Sequence, residues 1–326
     1  MDHVAGITES LLRFTIPERL RQRLTQRPAA GEAAAELTAL SRQLENDDLR
    51  VFAATCSEGV AACESAAENS ISEAEAYMRS ARLHLDEEKE AYNLNLPTLW
   101  DSLYFAIDAT NKAADIYEQN CATHQAVTAL VRLSEAMLHL ARPEDAVKTL
   151  HKALELNKTQ NGTRERLVVL RTLADVQTQA GLLVDALLTY EEIIMVSGVL
   201  KHGPAKVIGW YRELARQCEI RQVLILLIVE PMPAKMSPFH KQMMEWYLKE
   251  DLAELKAEGA TGPQTFVSFL SPVEFLKLKD FVLAVTGKDM SRTYEASEKL
   301  MNILDRTECS FVEYLTDLVP HYVVRT

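Results

Sequence analysis

The chain has 326 residues, of which 48% are hydrophobic and 25% charged, and it carries a net charge of -12. That length suits two domains of ordinary size, and that apolar content excludes wholesale disorder. Gly and Pro occur only 11 times each, well under the usual combined share of about 12%, which is too few for a turn-rich β protein, and the acidic balance argues against nucleic acid as a partner.

At the N-terminus, Leu11 and Leu12 are followed at once by Arg13, so a secretory apolar region is not expected. Arg13, Arg19, Arg21, Arg23 and Arg27 make this opening segment basic. The first amphipathic helix is expected over 32–45, where Ala33, Leu37, Leu40 and Leu44 recur at steps of three and four. Asn46-Asp47-Asp48 should supply cap oxygens to a second helix through Val51, Phe52, Cys56, Val60 and Cys63. A third is expected over 72–84, and the acidic run at 86–90 reads as a solvated face.

From Pro97 the punctuation becomes regular. It predicts helices over 98–119, 123–140 and 143–157, a turn at Asn161-Gly162, and two more helices over 164–180 and 182–196. Ala146-Leu150-Ala153 and Ala186-Tyr190-Ile193 share the spacing of the second helix of a tetratricopeptide unit. Leu130, Leu133 and Ser134 precede the first, and Leu170, Leu173 and Ala174 the second, at first-helix positions. Weaker copies stand at Ala74-Met78-Ala81 and Ala109-Ala113-Ile116. The steps between the four copies are 35, 37 and 40 residues, near the period of that repeat. Later helices are expected over 207–230, 239–257, 273–285, 291–305 and 309–319, the last stopped by Pro320. The fold expected is an all-α, tetratricopeptide-like α-solenoid, a right-handed superhelix of antiparallel helical hairpins. It divides into an N-terminal segment with a first helix (1–28), hairpins (29–197), a linker (198–209) and a C-terminal helical region (210–326).

Catalytic motifs are sparse. The sequence has no phosphate loop, no His-Glu-x-x-His and no nucleophile elbow. Cys121 and His124, three apart, could pair a thiol with an imidazole, although a structural thiol is the plainer reading. Glu135 and His139 lack further candidate ligands, so no metal or other cofactor is expected. The five cysteines are odd in number and scattered, which suits a reducing, cytosolic compartment. The longest apolar run, Val223 to Val229, falls far short of the roughly 20 residues of a membrane span. Apolar on every side, it is either core or covered by a partner. Met236, Met243 and Met244 could add an adaptable surface. Asp305, Glu308, Glu313 and Asp317, with only Arg306 among them, suggest an acidic face that steers a basic partner.

The segment from Cys218 through Glu219, Val223, Leu224, Leu226, Leu227, Pro231, Pro233 and Ala234 to Lys235 resembles the signature C-E-V-x-x-V-L-L-L-L-L-x-x-P-P-P-A-K of the 40-kDa huntingtin-associated protein family. Arg27-Pro28 with Glu32-Ala33, Ala53 to Cys56, and Leu270 to Glu274 are similar to that family too, in order along roughly residues 13–319. The Pro- and Ala-rich insert of some relatives is reduced here to the stretch around Gly198 to Gly209. The resemblance implies a non-enzymatic, cytoplasmic partner of huntingtin, held in a stoichiometric complex between that protein's HEAT-repeat lobes. It also implies association with early endosomes through a Rab GTPase, with nuclear presence open and no membrane insertion. On this reading Val223, Leu226, Leu227, Pro231, Pro233 and Lys235 build an apolar contact, and Asp305, Glu308, Glu313 and Asp317 meet basic surface. Two other readings stay open: an adaptor like the soluble NSF-attachment proteins, and an enzyme using Cys121 and His124.

Overall fold

The computed structural model describes residues 30–158, 163–199, 208–230, 236–249 and 268–323. These residues form α-helices and no strand. In chain order they are α1 (Ala30–Asn46), α2 (Arg50–Ala66), α3 (Ser70–Asn93), α4 (Asp101–Gln119), α5 (Thr123–His139), α6 (Pro143–Lys158), α7 (Thr163–Gln179), α8 (Leu183–Ser197), α9 (Trp210–Val229), α10 (Pro238–Leu248), α11 (Pro272–Thr286), α12 (Met290–Met301) and α13 (Arg306–Val323). The all-α, hairpin-based reading is therefore right. The chain separates into two compact units, Met1–Glu165 and Arg166–Thr326. The linker expected at 198–209 falls inside the second unit, because α8 packs against α9.

In the first unit each helix packs on the next, from α1 on α2 to α5 on α6. Small residues let them approach closely. Ala33, Ala34, Leu37 and Cys63 form one cluster, with Val60 against it, and Ala53, Ala54 and Leu83 form another, with Leu44. The buried face of α2 is made of Ala53, Ala54, Cys56, Ser57, Ala61 and Cys63, whereas Val51 and Phe52, read as part of its apolar stripe, are exposed. Ser41 and Ser57 fill the same seam, and both donate to the Ala53 carbonyl. The repeat positions behave as their spacing requires: Leu130, Ser134, Ala146, Leu150 and Ala153 are wholly buried across the α5–α6 hairpin. Ala109, Ala146 and Ala186 lie on α4, α6 and α8, each the second helix of a hairpin. Ala74 lies on α3, the first helix of its hairpin, so that copy is out of phase.

The shortage of glycine is reconciled with tight turns by one device used throughout. Asp48, Glu68, Asn95, Cys121, Ala141, Gly181 and Lys288 all have positive φ. In each case the next residue's N–H donates to the carbonyl five residues before it: Leu49 to Leu44, Asn69 to Glu64, Leu96 to Ala91, Ala122 to Tyr117, Arg142 to Met137, Leu182 to Gln177 and Asp289 to Ala284, at 2.8–3.2 Å. This is the closing bond of a Schellman turn, and only Gly181 supplies the residue that tolerates it freely. Asn46-Asp47-Asp48 gives no side-chain cap to α2, whose cap position is Leu49; the turn is closed by backbone bonds instead. Two expected boundaries are also displaced. No breaker interrupts α3 until Asn95, so it runs well past 84, and α4 begins only after a left-handed Trp100.

In the second unit Thr189 on α8 donates to Gln177 on α7 (2.7 Å), and α9 is the central helix, packed by α8, α10, α11 and α13. Helices α10 and α11 start at Pro238 and Pro272, each capped by the serine before it and each one residue ahead of the expected start. Ser271 and Glu274 form a reciprocal capping box ahead of α11. Helix α10 ends at Leu248 rather than 257, and residues 250–267 lie outside the described ones. Pro320 does not stop α13, which extends to Val323; a proline so near the end costs a single backbone bond.

Candidate functional site

Leu226 and Leu227 stand at the C-terminal end of α9, where an apolar pocket of about 320 Å³ opens between α9, α10, α11 and α13. Met236, Met244, Leu248 and Leu315 complete its wall, so two of the three methionines singled out in the sequence do meet this leucine pair. The third, Met243, is core. Val223 and Leu226 are buried by the chain's own helices, and Leu227 is 8% exposed. The all-apolar run is thus core in this chain, with only its last turn at a surface opening. Pro231, Pro233 and Lys235 lie outside the described residues.

The acidic residues of α13 divide into two pairs. Asp305 and Glu308 form a capping box, the Glu308 N–H donating to Asp305 (2.8 Å) and the Asp305 N–H to Glu308 (3.0 Å). Both also face Arg221, which is buried: it donates to Asp305 (2.9 Å), lies 3.8 Å from Glu308 and pairs with Asp175 on α7. It reaches Tyr190 Oη on α8 as well (3.2 Å). Burial alone would raise Asp305, but the Glu308 N–H and Arg221 hold its carboxyl below the usual range. Burial pushes Glu308 up to about 7. These two acids are therefore engaged inside the fold, a correction to the acidic face read from sequence. Glu313 and Asp317 are exposed.

A second buried carboxylate sits two residues before Arg221. Glu219 accepts from Tyr247 Oη (2.6 Å) on α10, and from Ser268 Oγ (2.7 Å) and the Phe269 N–H (2.7 Å) ahead of α11. Burial raises it to about 7 against those three donors. Sequence reading gave Glu219 and Arg221 no role beyond their place in the signature segment. The signal available was their place inside an otherwise apolar helix, where a charge survives only if paired.

Surface apolar groups form two sequence-local sets that motif reading missed. Leu94, Leu96 and Leu99 in the α3–α4 connection are 61%, 54% and 83% exposed. Val184, Leu188 and Met195 make an exposed stripe on α8, opposite its buried Ala186, Tyr190 and Ile193. This is the helix with two apolar faces and only one of them covered.

Among the described residues no group of His, Cys, Asp and Glu could hold a metal ion, and no helix is long and apolar enough to cross a membrane. Cys121 is exposed and serves as the left-handed residue of the α4–α5 turn. Because a side chain there is strained by roughly 1–2 kcal/mol, Cys121→Gly should raise stability by up to about 1 kcal/mol once the freer unfolded chain is counted. Thermal unfolding checks this, and a drop would mean that the thiol makes a contact of its own. The Glu88 carboxylate, read as part of a solvated run, is buried and accepts from Thr98.

No family model matches the chain. The 40-kDa huntingtin-associated protein of Mus musculus is 25% identical over 327 residues, covering 84% of this chain and 83% of that protein. The protein of the same name from Rattus norvegicus is 24% identical with the same coverage. Among solved structures, a Podosopora anserina kinesin light chain with nearly identical TPR-like repeats aligns at 14% identity and a TM-score of 0.37, over 70% of this chain and 97% of that one. At 84% coverage the two alignments reach into both units: the chain is similar to the 40-kDa huntingtin-associated proteins along most of its length.

Proposed function

We propose that this chain is a non-catalytic scaffold that forms a stoichiometric complex with huntingtin. The observation that carries the reading is the similarity over 84% of the chain to proteins named for that association. The surface supports it: Leu94, Leu96 and Leu99, the α8 stripe and the Leu226–Leu227 pocket offer apolar contacts of the kind that large, stable interfaces bury. Such a partner is stabilised by mass action if only its ordered form binds. The finer roles follow from the same reading: the chain acts in the cytoplasm, and brings huntingtin to early endosomes together with a Rab GTPase.

Co-purification of the full chain with huntingtin, followed by mass determination of the eluted species, tests this. A single complex of fixed stoichiometry is expected; two separate species would overturn it. Within that complex, Glu313→Lys with Asp317→Lys should weaken binding about three- to tenfold and reduce its salt dependence, since rim charges act through long-range attraction. Stability should stay within about 0.5 kcal/mol, as both side chains are exposed. Affinity measured at low and high salt decides whether α13 faces the partner.

A further inference from the structure

We infer that the groove between α3 and α5 is a docking site for an acidic, leucine-bearing segment of a partner protein. The groove lies wholly within the first unit and encloses about 830 Å³, a volume suited to a short run of side chains. Its floor is apolar and shallow in side-chain size: Ala81, Ala129 and Ala136 leave space beside Leu85 and Leu133. An inserted leucine would find carbon on both sides there. The walls carry Arg79, Arg82, Lys89 and Arg132 against Asp86 and Glu135. In a chain of net charge -12, this is a local inversion of sign.

The four cations are unequally satisfied. Glu45 accepts from Arg79 (2.8 Å) and from Arg82 (2.6 Å), yet Arg79 Nε remains buried without an acceptor. Lys89 and Arg132 have no carboxylate partner among the described residues, although both line the groove. A peptide can bring single carboxylates to these positions and lay apolar side chains between them. A nucleic acid brings a continuous line of phosphates and no aliphatic side chain to cover Ala81, Ala129 and Ala136, whereas a peptide can space its carboxylates away from Asp86 and Glu135. Charge and floor together therefore select the acidic peptide. This inference does not rest on the huntingtin reading.

The test is fluorescence anisotropy of the full chain with a fluorescein-labelled peptide of alternating glutamate and leucine. Saturable binding that weakens with added salt is expected, and the matching glutamine–leucine peptide should not bind. Lys89→Glu with Arg132→Glu should lower affinity by about tenfold or more, the loss of two charge-assisted contacts. The melting temperature should move by only a few degrees, because neither cation has a carboxylate partner among the described residues and the added acids cost only exposed like-charge repulsion with Asp86 and Glu135. The milder Lys89→Gln with Arg132→Gln should fall between the two. Absence of peptide binding, equal binding of the glutamine peptide, an affinity untouched by the double reversal, or tighter capture of an oligouridylate of equal charge would each overturn the inference.

Discussion

Arg221→Ala is expected to destabilise the second unit by about 3–5 kcal/mol, the usual cost of removing one member of a buried charge network. Arg221 is 5% exposed, and its guanidinium ties three helices together, through Asp175 on α7, Tyr190 on α8 and the capping box of α13. Without it, Asp305 and Glu308 would lose the cation that sits directly against them, and the α13 N-terminus would lose its anchor. Arg221→Lys should recover only part of the loss, since a single ammonium cannot span the three acceptors on Asp175, Tyr190 and Asp305 as a planar fork does. Urea unfolding followed by far-UV circular dichroism measures the difference. A loss under about 1 kcal/mol would show that water replaces the arginine at this junction.

Glu219→Ala should cost about 3 kcal/mol or more, because Tyr247 Oη, Ser268 Oγ and the Phe269 N–H would each lose the carboxylate they donate to, at about 1–3 kcal/mol for each buried group. Its pH dependence is distinctive. Burial raises the folded carboxyl to about 7 from an ordinary 4.5, so between those values the native chain holds a proton that the unfolded chain has released. Stability from this group is greatest below about pH 4.5 and declines as pH climbs toward 7. Glu308 is raised in the same direction, whereas His240, lowered by burial, works oppositely by opposing protonation below its ordinary range. The clean readout is therefore a comparison: the difference in unfolding free energy between the native chain and Glu219→Gln should shrink by a few kcal/mol from pH 5 to pH 8. A difference that is flat with pH would mean that the carboxylate is ionised throughout.

Helical periodicity made most elements legible. Pro143, Pro238 and Pro272 mark helix starts, and the Ala-Leu-Ala and Ala-Tyr-Ile triplets identify second helices of hairpins. The joints were harder to read because six of the seven Schellman turns use a residue other than glycine; strain there is offset by the packing of the flanking helices, which no short window of sequence contains. The site was half legible. The run read as apolar on every side is core in α9, while α8 carries its exposed apolar stripe beside a repeat motif that explained only its buried side. Arg221 and Glu219 find their partners 46, 84, 28 and 50 residues away. Spacing along one helix cannot announce such a meeting.

Glu219 also has a consequence for how this part of the chain tolerates change. By gripping Tyr247 on one side and Ser268 with Phe269 on the other, a single carboxylate pins the entrance and the exit of residues 250–267. Helices α10 and α11 are thus registered on α9 through one side chain. Losing that carboxylate should loosen the end of α10 and the approach to α11 together rather than one at a time.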